Sequence, residues 1–145
     1  MAKKFMKPEF IIIHHSAVSR ALAPKQYEAV KDYHRSLGWG KIGYHYFIES
    51  DGSMHKGRFD ESVGTHFRHG EMYFNSIGIC LAGDFMMESP TDEQIYKLRD
   101  ILKTLVSKYN IPEKNILGHK ETGAATLCPG EKIDLKFIRE LPSRE

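Results

Sequence analysis

The chain has 145 residues, 41% of them hydrophobic and six of them proline, which is the size and composition of one globular domain with a single core. Lys and Arg number 21 against 19 Asp and Glu, a formal charge of +2, and no long basic block marks a nucleic-acid surface. No apolar stretch approaches a membrane span, Met1–Lys7 lack the apolar run of a signal peptide, and two cysteines are too few for a disulfide framework.

Cytoplasmic synthesis, no stable membrane association and a single domain over residues 1–145, with its core at about 8–141, are therefore expected. Phe10-Ile11-Ile12-Ile13 is a short apolar, β-branched run of the kind a central strand shows when both faces are covered, and it delivers His14 and His15 at its end. From Lys25 to Leu37, Tyr27, Val30, Tyr33, His34 and Leu37 recur at helical spacing, and Gly38 follows where helices commonly stop. Tyr44–Glu49 and Ser53–Lys56 flank Asp51-Gly52, a pair suited to a tight hairpin turn.

Ser76–Ala82 is a further short apolar run, closed by Gly83 and Asp84. After Pro90, Thr91 and Gln94 have capping-box spacing, and Ile95, Leu98, Ile101, Leu102, Leu105, Val106 and Tyr109 form one helical stripe. Ile116–Gly118 reads as a last short strand, Cys128-Pro129-Gly130 as a turn, and Asp134 as the cap of a short helix carrying Leu135 and Ile138. The order of elements predicts an α/β single domain: a central mixed sheet flanked by helices.

Two histidines at strand ends and a cysteine in a following Gly- and Pro-containing loop make the most informative constellation. His14, His119 and Cys128 supply the nitrogen and sulfur donors of a three-ligand zinc site that leaves a fourth position for water. Spacing alone leaves this open, because no H-E-x-x-H or paired C-x-x-C signature is present, and a strand-end His is also a common hydrogen-bonded structural group. Cys80, between Ile79 and Leu81, reads as a small core hydrophobe. Glu121, beside Lys120 in a loop, reads as a solvated surface residue rather than a general base. His45 faces away from Tyr44 on an extended strand, where a buried, hydrogen-bonded role is expected. Trp39, His34 and Arg58 fit a cleft rim and a packing role equally well.

Four blocks in order, I-I-I-H-H-S-A at 11–17, G-W-G-K-I-G-Y-H-Y-F-I at 38–48, N-S-I-G-I-C-L-A-G-D-F at 75–85 and G-H-K-E-T-G-A-A-T-L-C-P-G at 118–130, jointly resemble the type 2 N-acetylmuramoyl-L-alanine amidase family. That family includes phage lysozyme-like amidases and peptidoglycan recognition proteins, and the likeness runs over most of the chain. It implies the peptidoglycan recognition protein-like fold, one zinc ion per chain on His14, His119 and Cys128, and a peptidoglycan or muropeptide substrate cut between the lactyl group and L-alanine. Members that have lost the activity often lack the Cys, so Cys128 favours catalysis.

The resemblance assigns Tyr44 a place beside the metal-bound water, where positioning is favoured over proton abstraction because a phenol has an ordinary pKa near 10. Two residues before the Cys the family has Lys or Thr; here Thr126 donates a hydrogen bond without charge. His66 and Asn75 are expected to line the groove and bind the muramoyl peptide, with His15 in a supporting role. A monomeric phage endolysin is the favoured setting, with a bacterial recycling amidase, a non-catalytic muropeptide- or protein-binding module and a purely structural zinc domain as the competing readings. Some phage members also bind an RNA polymerase, and the residues leave a regulatory protein partner open. No matched pair of carboxylates suggests glycosidic cleavage.

Overall fold

The computed structural model describes residues 5–66 and 70–144. Residues 1–4, 67–69 and 145, which include both ends of the expected domain, lie outside the described residues. Strands β1 (Phe10–His15), β2 (Tyr46–Ile48), β3 (Met54–Lys56), β4 (Ser76–Leu81) and β5 (Ile116–Gly118) form one sheet in the order β3-β2-β4-β1-β5. β1 pairs in parallel with β4 and β5, β2 pairs in parallel with β4, and β3 closes the edge antiparallel to β2. Helices α1 (Tyr27–Ser36), α2 (Asp92–Tyr109) and α3 (Leu135–Glu140) complete the mixed α/β domain.

Apolar runs on the central strands follow from having both faces covered. Ile11, Ile13, Ile77, Ile79 and Leu81 pack with Leu98, Leu102 and Leu105 of α2 and Ile138 of α3. On the other face Phe47, Cys80 and Ala82 meet Tyr27 and Val30 of α1. Strand alternation then sorts the two adjacent histidines. His15 goes to the α2 side, where it stacks on Phe85 with ring centroids 5.9 Å apart. His14 goes to the α1 side, 5.1 Å from the ring of Tyr44.

The long helix α2 has the reciprocal cap that its sequence signals: Gln94 N–H donates to Thr91 Oγ1 at 3.1 Å, and Thr91 N–H donates to Gln94 Oε1 at 3.0 Å. It buries Leu98, Ile101, Leu102 and Leu105 and ends at Asn110 in the left-handed region, φ 54°. The first helix starts two residues later than expected and has no cap from its own side chains. Glu49, one residue beyond β2, reaches across instead, and its carboxylate accepts the N–H groups of Gln26 at 2.9 Å and Tyr27 at 3.0 Å.

The hairpin turns at Gly52, φ +87°, with Ser53 N–H donating to Asp51 Oδ1 at 2.9 Å. Its first strand, Tyr46–Ile48, is shorter than the Tyr44–Glu49 expectation, although His45 N–H still donates to Gly78 O of β4 at 2.9 Å. No helix among the described residues is long and apolar enough to cross a membrane.

Candidate metal and active site

His14 sits near the carboxyl end of β1 and His119 directly follows β5, and these two strands are neighbours. The sheet register alone therefore brings the imidazoles together, with ring centroids 4.7 Å apart, at the end of parallel strands where α/β sheets commonly build sites. Cys128 arrives on the loop after β5. Lys120 N–H donates to the Cys128 carbonyl at 2.7 Å, Cys128 N–H donates to Thr126 Oγ1 at 3.1 Å, and His15 N–H points at the Cys128 sulfur at 3.4 Å. Gly130, φ +105°, lets this loop pass against Phe85, where a Cβ would stand 2.5 Å from the Phe85 carbonyl carbon.

One donor atom each from His14, His119 and Cys128 lies within 4.8 Å of the others. The separation of His14 Nδ1 from Cys128 Sγ is 3.7 Å. A tetrahedral zinc ion with Zn–N of about 2.05 Å and Zn–S of about 2.3 Å spans an N–S edge of about 3.6 Å, so this donor pair fits. Burial, reinforced by the neighbouring His66 and His119, holds the His14 pKa well below its ordinary value, leaving the neutral imidazole that a metal requires. Burial also pushes the Cys128 thiol up to about 11; a divalent cation is the charge that would favour its thiolate.

Tyr44 flanks this cluster. Burial, then the two nearby thiols of Cys80 and Cys128, raises its pKa well above the ordinary phenol value, so its hydroxyl keeps its proton. A cleft of about 380 Å³ leads away between α1 and the loop after β1, lined by Ser16, Val18, Val30, Tyr33, His34 and Tyr44. Its size is in the range of small-ligand sites. His34 forms part of its wall, with Nδ1 accepting the Gly43 N–H at 2.8 Å and its ring 4.5 Å from Trp39. Arg58 donates to the carbonyls of Ile42 and Val63 and to Thr65 Oγ1, which ties down the loop carrying Tyr44.

His14, His119, Cys128 and Tyr44 thus come together, with Thr126 joined to Cys128 through its hydroxyl. The other two expected site residues stand elsewhere. His66 is not in the groove: it is only 7% exposed, and its Nδ1 lies 2.9 Å from His14 Nε2, behind the His14 ring. Nothing in the sequence spacing announces this contact, which spans 52 positions. Asn75 precedes β4, at the end of the sheet away from His14, since Ser76 pairs with Phe10 and Cys80 with His14; its Nδ2 donates to Glu9 at 2.7 Å.

Glu121 accepts from Gly118 N–H at 2.9 Å and from Arg139 at 2.7 Å, which fastens the turn after β5. His45 is buried with both ring nitrogens paired: Nδ1 accepts from Gly78 N–H at 3.0 Å, and Nε2 therefore donates to Ser62 O at 2.6 Å. Cys80 is fully buried in the core.

Comparison with known proteins follows the same lines. The family model described as N-acetylmuramoyl-L-alanine amidase matches residues 4–131. The endolysin of Enterobacteria phage T3 is 34% identical over 94% of this chain and 91% of its own. Among solved structures, the N-acetylmuramoyl-L-alanine amidase LysC from Clostridium intestinale superposes with a TM-score of 0.81 at 28% identity, covering 97% of this chain and 88% of that one. A Drosophila PGRP-LB variant in complex with tracheal cytotoxin gives 0.77 at 26% identity, covering 94% and 83%. On sequence and fold together, this chain belongs to the N-acetylmuramoyl-L-alanine amidase family.

Proposed function

We propose that the chain is a zinc-dependent amidase that hydrolyses the bond between the lactyl group of N-acetylmuramic acid and L-alanine in peptidoglycan, in the manner of a phage endolysin. The observation that carries the reading is the set of three donors, His14, His119 and Cys128, within 4.8 Å of one another. Endolysin and amidase relatives support the reaction class. The neighbour named with tracheal cytotoxin supports a muropeptide as the bound species. Synthesis in the cytoplasm, with access to the wall after membrane release, is part of the proposal.

When bound, zinc supplies Lewis acidity toward water and toward a carbonyl oxygen. The protein's own residues do the rest. The Tyr44 hydroxyl, kept protonated by burial, donates a hydrogen bond to the oxygen that gains charge as the amide carbon becomes tetrahedral. Thr126 Oγ1 accepts the Cys128 N–H, which leaves its proton free to point outward as a second neutral donor. The α1 cleft takes the chain of the substrate and holds its carbonyl still.

Purified peptidoglycan incubated with the protein is expected to show new L-alanine amino termini and no new reducing sugar ends. A chelator should abolish the release and added zinc restore it. Release that persists with all metal removed would overturn the metal assignment. A fully zinc-loaded protein that binds wall fragments without releasing L-alanine would favour the non-catalytic recognition module.

A further inference from the structure

We propose that His66 is a positioning residue for the metal site: its imidazole fixes the tautomer and orientation of His14. The inference rests on the zinc reading above. The Cys128 sulfur lies 3.7 Å from His14 Nδ1, so Nδ1 is the ligand nitrogen and the proton of neutral His14 resides on Nε2. That nitrogen lies 2.9 Å from His66 Nδ1, which accepts the proton's hydrogen bond. With Nδ1 accepting, His66 carries its own proton on Nε2 and donates it to Ser76 Oγ at 3.2 Å. The relay His14 to His66 to Ser76 has one self-consistent direction, and it leaves the Nδ1 lone pair of His14 aimed at the site.

The way the fold holds His66 points the same way. A Cβ added at Gly78 would stand 2.5 Å from His66 Cγ and 2.6 Å from its Nδ1, and one added at Gly64 would stand 2.8 Å from its Cδ2. Two glycines on separate segments thus make room for this ring and clamp it. A buried polar ring is a costly core filler when an apolar side chain of similar size is available. The hydrogen bond to a ligand gives the imidazole a reason to be there.

The test compares His66→Phe, His66→Asn and His66→Gln by zinc affinity, measured by competition with a chromophoric chelator, and by the visible spectrum of the cobalt-substituted protein. Thermal unfolding checks that each variant is folded. The amide oxygen of Asn falls near the place of Nδ1; that of Gln lies one methylene further out. Loss of the acceptor in His66→Phe is expected to weaken zinc binding about 10- to 100-fold and alter the cobalt spectrum, with His66→Asn recovering most of the affinity.

A folded His66→Phe protein with wild-type affinity and spectrum would overturn the inference. Where His66→Phe does not fold, equal affinities for the Asn and Gln variants would overturn it just as well. A wild-type protein that binds no zinc at all would sink the metal reading itself, an outcome distinct from wild-type and variants binding alike.

Discussion

Tyr44 was marked in the sequence by the G-Y-H block, and the fold brings its ring within 5.1 Å of His14. A donor to a developing oxyanion acts on the rate of the chemical step, while a packed phenol acts on stability. Tyr44→Phe keeps the ring and removes only the hydroxyl. It is expected to lower kcat by about 10²- to 10³-fold, the usual effect of losing one such donor, with KM and zinc content little changed. An unchanged kcat, measured by release of L-alanine amino termini, would reduce Tyr44 to a packing residue. At this scale the three clustered donors, His14, His119 and Cys128, were legible because each occupies the end of a readable element or the turn after it. His66 and Asn75 were misplaced because their partners, His14 and Glu9, lie 52 and 66 positions away, beyond any local pattern.

Elements were legible in proportion to how locally they are determined. In α2 the Thr91 and Gln94 cap and the buried stripe are both written within one segment, and both could be read. Thr91→Ala removes the side-chain acceptor for Gln94 N–H and a hydrogen bond to Ser50 O at 2.7 Å. The expected cost is about 1 kcal/mol or somewhat more, read as a lower urea midpoint with an unchanged m-value, and activity at low temperature should survive. An unchanged midpoint would mean that packing of the helix alone sets its stability. The start of α1 was read too early because its capping group is not its own. Glu49 supplies it from beside β2, and the sequence of the helix carries no trace of that carboxylate.

For the whole molecule, the concentration of buried imidazoles on one side of the sheet makes stability depend on pH. Burial, opposed by the hydrogen bond to Ser62 and assisted by Arg58, lowers the His45 pKa to about 4, and burial lowers His14 and His66 as well. An unfolded chain binds these protons near pH 6.5. Between about pH 6.5 and pH 4, therefore, the unfolded state holds more protons than the folded one, and stability falls as pH falls. His45 contributes its full stabilisation above about pH 6.5, on the order of 3 kcal/mol, and loses it through this window; His14 and His66 act in the same direction. Urea unfolding of the chelator-treated protein should show a slope near pH 5 of at least about 1.4 kcal/mol per pH unit, the value for one proton taken up on unfolding. A flat profile between pH 7 and pH 5 would mean that these rings are hydrated in solution. It would also remove the dry setting in which neutral His14 is held ready for a metal.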